Sequence, residues 1–160
     1  MLCRVWGAKG GLSSLGLCAN TKRLVSGKMI AVIEVTAAVI KRGQEILITQ
    51  RGEDQHLAGY WEFPGGKVEQ GESVFAALQR ELLEEVNLTV NASEELMVIE
   101  HDYGDKCVRL DVHIVDDFTG TAHGAEGQQG KWVALSELDV YSFPAANVEI
   151  IEKIKKKYQG

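Results

Sequence analysis

No apolar run in this sequence approaches the roughly 20 residues that a helix needs to cross a bilayer, and there is no internal repeat or low-complexity tract. A membrane partner is therefore not expected. Cysteine occurs three times, at Cys3, Cys18 and Cys107. That odd number, without metal-ligand spacing, argues against a disulfide scaffold and suits a reducing cytoplasm. Acidic residues are missing from the first 33 positions, which hold Arg4, Lys9, Lys22, Arg23 and Lys28; the other 12 basic residues face all 23 acidic ones. An acidic body argues against a surface for the phosphate backbone of long nucleic acid. It also suggests that metal cations screen any phosphate-bearing substrate.

With 160 residues, 45% hydrophobic and 25% charged, the chain has the size of one soluble domain with its own core. Residues 1–28 show little period and are broken by Gly10-Gly11 and Ser13-Ser14, so they are expected to be disordered or poorly packed. Their composition permits a transit peptide, and an upstream extension ahead of Met29 is the alternative. Leu12 to Ala19 is too short and too broken for a secretory signal. A monomeric domain is expected over 29–160.

That domain is organised around the stretch from Gly66 to Leu88. Phe75, Leu78, Leu82 and Val86 recur at helical spacing, which predicts a helix with this face in the core, starting near Ser73 as N-cap. The other face stacks Glu81 on Glu84 and Glu85, and like charges at those spacings cost a few tenths of a kcal/mol per pair. A solvated acidic face is one reading. The other is a divalent-cation site, because Mg²⁺ takes oxygen ligands from one or two carboxylates and substrate phosphates.

Elsewhere, Ile30 to Ile40 and Gln44 to Gln50 read as a hairpin turning at Gly43. The segment Tyr60 to Lys67, with Pro64-Gly65-Gly66, reads as a shaped loop whose carbonyls and amides can approach metal or phosphate. Glu95 to Tyr103 and Lys106 to Phe118 read as strands around Gly104-Asp105, with Val108, Leu110, Val112 and Ile114 on one face. His101, His113 and His123 are scattered strand or loop residues. Thr119 to Gly130 is a Gly-rich loop holding Glu126, by itself an ordinary solvated residue. Lys131 to Leu135 reads as a strand, Ser136 to Asp139 as a turn, and Asn147 to Tyr158 as an amphipathic helix with Val148, Ile151 and Ile154 inward.

Gly66, Glu72, Arg80, Glu81, Leu82, Glu84, Glu85 and Leu88 match, at every spacing, the signature of Nudix hydrolases. Asn87 stands where that pattern has glycine, and Asn tolerates left-handed backbone angles second best. From about Ile30 to Tyr158 the chain resembles the MutT-type branch of this family, the 8-oxo-dGTP diphosphatases. Arg51, His56, Glu62 to Lys67, the loop Gly124 to Gln128, and Phe143 to Asn147 carry that likeness.

The resemblance implies an α/β class fold, an α/β/α sandwich with a mixed β-sheet between helices. It implies Mg²⁺ or Mn²⁺ held by Glu81, Glu84, Glu85, a Gly65 or Gly66 carbonyl, and Glu126. Arg51, His56, Glu62, Phe63, Pro64, Gly65 and Asn147 would line the nucleotide site, with Lys67 near the phosphates. The implied reaction cleaves a nucleoside triphosphate to monophosphate and pyrophosphate. Glu81 is the expected base for the attacking water, with Glu84 as rival; Arg80 is expected to hold the array by ion pairing. The alternatives are a Nudix hydrolase of another nucleotide (an unmodified dNTP, ADP-ribose or a dinucleoside polyphosphate) and a non-catalytic binder. The absence of proline between Pro64 and Pro144 speaks against ADP-ribose, and the complete set of carboxylates speaks against a binder.

Overall fold

One long strand, β2 (Lys28–Arg42), runs through the middle of the molecule, and nearly everything else is placed by pairing with it. The computed structural model describes residues 21–123 and 129–160. On one edge β2 is paired in turn by β1 (Thr21–Val25), β5 (Gly65–Lys67) and β3 (Glu45–Gln50), all antiparallel. On the other edge lies β7 (Lys106–Thr119), parallel, with Thr36 beside Asp111 and Ile40 beside Val115. β6 (Thr89–Asp102) pairs outside β7, while β4 (Trp61–Glu62) and β8 (Gly130–Ala134) pair with β3. A parallel neighbour demands a crossover, and α1 (Val74–Val86) lies in that connection.

β2 is apolar on both faces, as a strand covered on both sides must be. Val35, Ala37 and Val39 join Leu110, Val112 and Ile114 of β7 beneath Ile150, Ile151 and Ile154 of α2 (Ala145–Gln159). Ala38 and Ile40 join Val115 beneath Leu78, Leu82 and Val86 of α1. Helices on opposite faces of a mixed sheet make the expected α/β/α sandwich. α1 begins where anticipated: the Ser73 hydroxyl accepts from the Ala76 amide at 3.1 Å. It ends on Asn87, left-handed at φ 57° and ψ 38°. No helix among the described residues is long and apolar enough to cross a membrane.

Four expectations need correction. Residues 21–28 belong to a hairpin: Thr21–Val25 pairs with Lys28 to Val32, and Arg23 donates to Glu100 at 2.9 Å. Residues 1–20 lie outside those described. Tyr60 to Lys67 is not all loop, since β4 and β5 are paired strands within it. Ser136 to Asp139 is part of a 3₁₀ turn, Leu135–Val140. On α2, Val148 is exposed, and Asn147 and Ile150 take the inward places.

Candidate active site

The two glycines of β5 let α1 approach the sheet edge. A Cβ on Gly66 would collide with both oxygens of the Glu81 carboxylate, so the missing side chain is the space that carboxylate fills. Next to it, the Gly65 amide donates to Glu85 Oε2 at 3.0 Å. Two glutamates one helical turn apart thus rest on two successive residues of one strand. Glu84, from the same turn, is more than half exposed.

Arg80 ties the like charges together. Its Nε and Nη2 donate to the two oxygens of Glu72 at 2.9 and 3.0 Å, and its Nη1 donates to Glu81 Oε1 at 2.8 Å. Nη1 also lies 3.8 Å from Glu84, and Nη2 donates to the Lys67 carbonyl at 3.0 Å. The hydrogen bond to Glu72 raises the guanidinium pKa, and the same bond from Arg80 holds the Glu72 carboxyl below its ordinary value. One cation is thereby set against the carboxylates of Glu72 and Glu81.

All of these donors are oxygens, the preference of a hard divalent cation. Among the described residues, no three His, Cys, Asp or Glu side chains form a group that could hold an ion unaided. Mg²⁺ does not require one, since it keeps waters and takes one or two carboxylates with substrate phosphate. The Gly66 cradle and the paired carboxylates fit that demand. Glu126 lies outside the described residues.

A second group gathers round Arg51, which is buried. Its Nε donates to Glu62 Oε2 at 2.8 Å and its Nη1 to the His56 carbonyl at 2.8 Å. His56 thus takes part through its backbone, its ring being exposed. Burial pushes the Glu62 carboxyl up to about 6, against the opposing charge of Arg51. Arg51 Nη2 has no partner. Phe63 is fully buried and stacks on Phe143, rings 5.6 Å apart, so only its backbone remains for a ligand. The Pro64 carbonyl accepts from the Ala38 amide at 2.8 Å, and Lys67 is exposed.

Asn147 comes from a different element, α2. It sits in the first turn of α2 at 0% exposure, and neither its Oδ1 nor its Nδ2 has a partner. The cap position belongs to Pro144, whose carbonyl accepts from the Asn147 amide at 2.9 Å. Helix capping therefore does not account for the side chain.

A model of the NUDIX domain matches residues 35–153. The chain belongs to the Nudix family. It is 37% identical over 125 residues to the 8-oxo-dGTP diphosphatase of Escherichia coli, a match covering 78% of this chain and 97% of that protein. Against the CTP pyrophosphohydrolase of the same organism it is 36% identical over 121 residues, 76% and 90% of the two chains. A solved MutT structure, from work on the Aliivibrio salmonicida and Vibrio cholerae proteins, superposes with a TM-score of 0.72 at 37% identity, covering 79% of this chain and 99% of that one. Nudix hydrolases generally depend on a divalent metal. Sequence reasoning singled out the signature glutamates and Arg80 but not Thr36, a buried threonine whose same-face neighbours Ala38 and Ile40 pack beneath α1. Only its threonine identity within an otherwise apolar strand could have signalled it.

Proposed function

We propose that this Nudix hydrolase is a divalent-metal-dependent nucleoside triphosphate pyrophosphohydrolase with 8-oxo-dGTP as its preferred substrate, released as 8-oxo-dGMP and pyrophosphate. Its role would be to remove an oxidised nucleotide before it enters DNA. The observation that carries the substrate choice is Asn147. A buried amide with both atoms unpartnered costs stability in the free protein, and such groups call for a specific explanation. Guanine oxidised at C8 carries a hydrogen on N7 beside the O6 acceptor. Asn offers one acceptor and one donor, a two-point match. Unmodified guanine presents two acceptors there, so one of them always meets the amide wrongly.

Glu81, Glu84, Glu85, the Gly65 carbonyl and Glu126 would hold Mg²⁺ or Mn²⁺. The metal supplies charge neutralisation on the phosphate oxygens and a template for in-line attack. Arg80 holds Glu81 and Glu72 in place, and Glu81 takes the proton of the attacking water, Glu84 being the other carboxylate within reach of that role. Lys67, exposed beside the site, meets the outer phosphates. Arg51, with one free buried Nη2, fixes the segment from β4 to β5 through Glu62.

The near-equal identity to a CTP pyrophosphohydrolase keeps one rival in view. The deciding experiment is kcat/KM over 8-oxo-dGTP, dGTP, dATP, CTP and ADP-ribose with Mg²⁺. Adenine also presents a donor and an acceptor on its N7 edge, so dATP tests whether the amide alone selects. Preference for 8-oxo-dGTP supports the reading; preference for CTP overturns it.

A further inference from the structure

Among the described residues, four buried side-chain atoms lack a hydrogen-bond partner: Asn147 Oδ1 and Nδ2, Arg51 Nη2, and Thr36 Oγ1. The first three belong to residues already placed in the nucleotide site. Thr36 does not. It sits on β2 at 0% exposure, in a strand otherwise filled by Val, Ile and Ala from Val35 to Ile40. Valine has the same shape and would fill this place without a stranded hydroxyl.

The ladder shows what the hydroxyl is near. Thr36 shares its face with Ala38 and Ile40, the face covered by α1. Its partner on β5 is Gly66, the residue whose absent side chain makes room for the Glu81 carboxylate. Directly paired residues carry their Cβ atoms about 4.5–5.5 Å apart on one face. The Glu81 carboxylate therefore occupies the neighbouring place to Thr36, within reach of a hydroxyl that turns about χ1. On the other side, on β7, the partner is Asp111, also buried. That carboxylate is already met by Arg109, whose Nε donates at 3.2 Å and Nη2 at 3.4 Å. Glu81 for its part accepts from Arg80 on Oε1.

We propose that Thr36 is a positioning residue for Glu81: in the working enzyme its hydroxyl donates to the Glu81 carboxylate and fixes the rotamer in which that carboxylate meets metal and water. The proposal rests on the metal-dependent reading above. It explains why a hydroxyl is kept in a buried apolar strand one residue across from the glycine that cradles the glutamate. Partners of metal-ligating carboxylates typically change affinity or rate by about 10- to 100-fold when removed.

The test uses Thr36→Val, which removes the hydroxyl at constant shape, and the pair Thr36→Ser and Thr36→Ala, which differ only in that hydroxyl. Three quantities are measured: the melting temperature without metal, Mn²⁺ affinity without nucleotide by titration calorimetry, and kcat and KM for hydrolysis. Thr36→Val should melt at or above the wild-type temperature, bind Mn²⁺ and turn over about 10- to 100-fold less well, and keep KM for the nucleotide. Thr36→Ser should retain the wild-type values where Thr36→Ala does not. Equal Mn²⁺ affinity and kcat in Thr36→Val, or equal behaviour of the Ser and Ala variants, overturns the proposal alone. A wild-type protein that neither binds Mn²⁺ nor releases pyrophosphate overturns the functional reading and this proposal with it.

Discussion

The carboxylate of Glu81 occupies the space that a side chain on Gly66 would take. That relationship separates two adjacent glycines by what they protect. A methyl on Gly66 meets the far end of a flexible side chain, which can swing away. At Gly65 the methyl meets the Thr36 carbonyl and the Ala37 Cα, which are backbone. Gly66→Ala is therefore expected to fold with a near-normal melting temperature and to lose most of its kcat. Gly65→Ala is expected to lose about 1–3 kcal/mol of stability, the scale of overpacking. Urea unfolding beside pyrophosphate release distinguishes the two, and equal stability losses would refute the cradle.

Glu85→Gln probes the metal site at constant shape. Glu85 is buried and accepts the Gly65 amide, a bond that the Gln carbonyl oxygen can keep. Removing the charge relieves repulsion with Glu81, so stability without metal should stay level or rise by a few tenths of a kcal/mol. Turnover in saturating Mg²⁺ should collapse. An unchanged kcat would remove Glu85 from the metal ligands.

How much of this was readable beforehand varies with what fixes each element. α1 was legible from local chemistry: a serine cap, four apolar residues at helical spacing and an asparagine suited to left-handed angles. β5 was not, because Gly65-Gly66-Lys67 has neither β-propensity nor alternation and is strand only through pairing with Val35 to Ala37. β1 hid for a similar reason: an edge strand needs little apolar alternation, and Lys22 and Arg23 gave it none. On α2 the apolar stripe misled. A buried Asn147 interrupts it, so the apolar period points Val148 inward while the helix turns Asn147 and Ile150 to the core. The carboxylates of the site were legible because their spacing is a strong motif. Their supports, Gly66 and Thr36, come together only across strands distant in sequence.

Stability should fall as pH rises through the range set by Glu62. Its folded pKa of about 6 lies above the ordinary value of 4.5, so the native state binds the proton more tightly than the unfolded chain does. The contribution is fully present below pH 4.5 and is lost as pH passes through about 6. At 1.36 kcal/mol per pKa unit, the loss is about 2 kcal/mol. Glu72 works in the opposite sense: lowered by Arg80, its stabilisation is present above the ordinary carboxyl pKa and disappears as pH falls through its folded value. Denaturant midpoints from pH 4 to 8 in Glu62→Gln and the wild type isolate the first effect. If their difference does not change with pH, the burial of Glu62 has been misjudged.

A chain beginning at Met29 should keep its kcat but not all of its stability. It loses β1, and with it the cover that half-buried Val25 gives Ile30, Val32 and Cys107. Area removed from that small cluster corresponds to about 1 kcal/mol. The exposed Arg23–Glu100 pair adds little. A thermal melt of the shortened chain, with kcat measured in parallel, checks both halves. A loss of activity at full stability would place β1 in the site instead.

Asn147 gives the sharpest test of substrate choice. Two roles compete for it, helix cap and base reader, and they predict opposite stabilities. A cap removed by Asn147→Ala costs about 1 kcal/mol. An unpartnered buried amide removed by the same substitution leaves stability level or improves it, because its desolvation is no longer uncompensated. The structure places Pro144 at the cap and leaves both amide atoms of Asn147 without partners. Asn147→Ala should therefore melt at or above the wild-type temperature. On 8-oxo-dGTP it loses two hydrogen bonds of about 1–1.5 kcal/mol each, so kcat/KM should fall about a hundredfold. On dGTP, where the amide already meets one acceptor wrongly, the fall should be small, and pyrophosphate should still be released from both. Selectivity between the two nucleotides then collapses while the chemistry survives. If both substrates fall together and the melting temperature drops, Asn147 serves the helix, and the assignment of 8-oxo-dGTP loses the residue on which it stands.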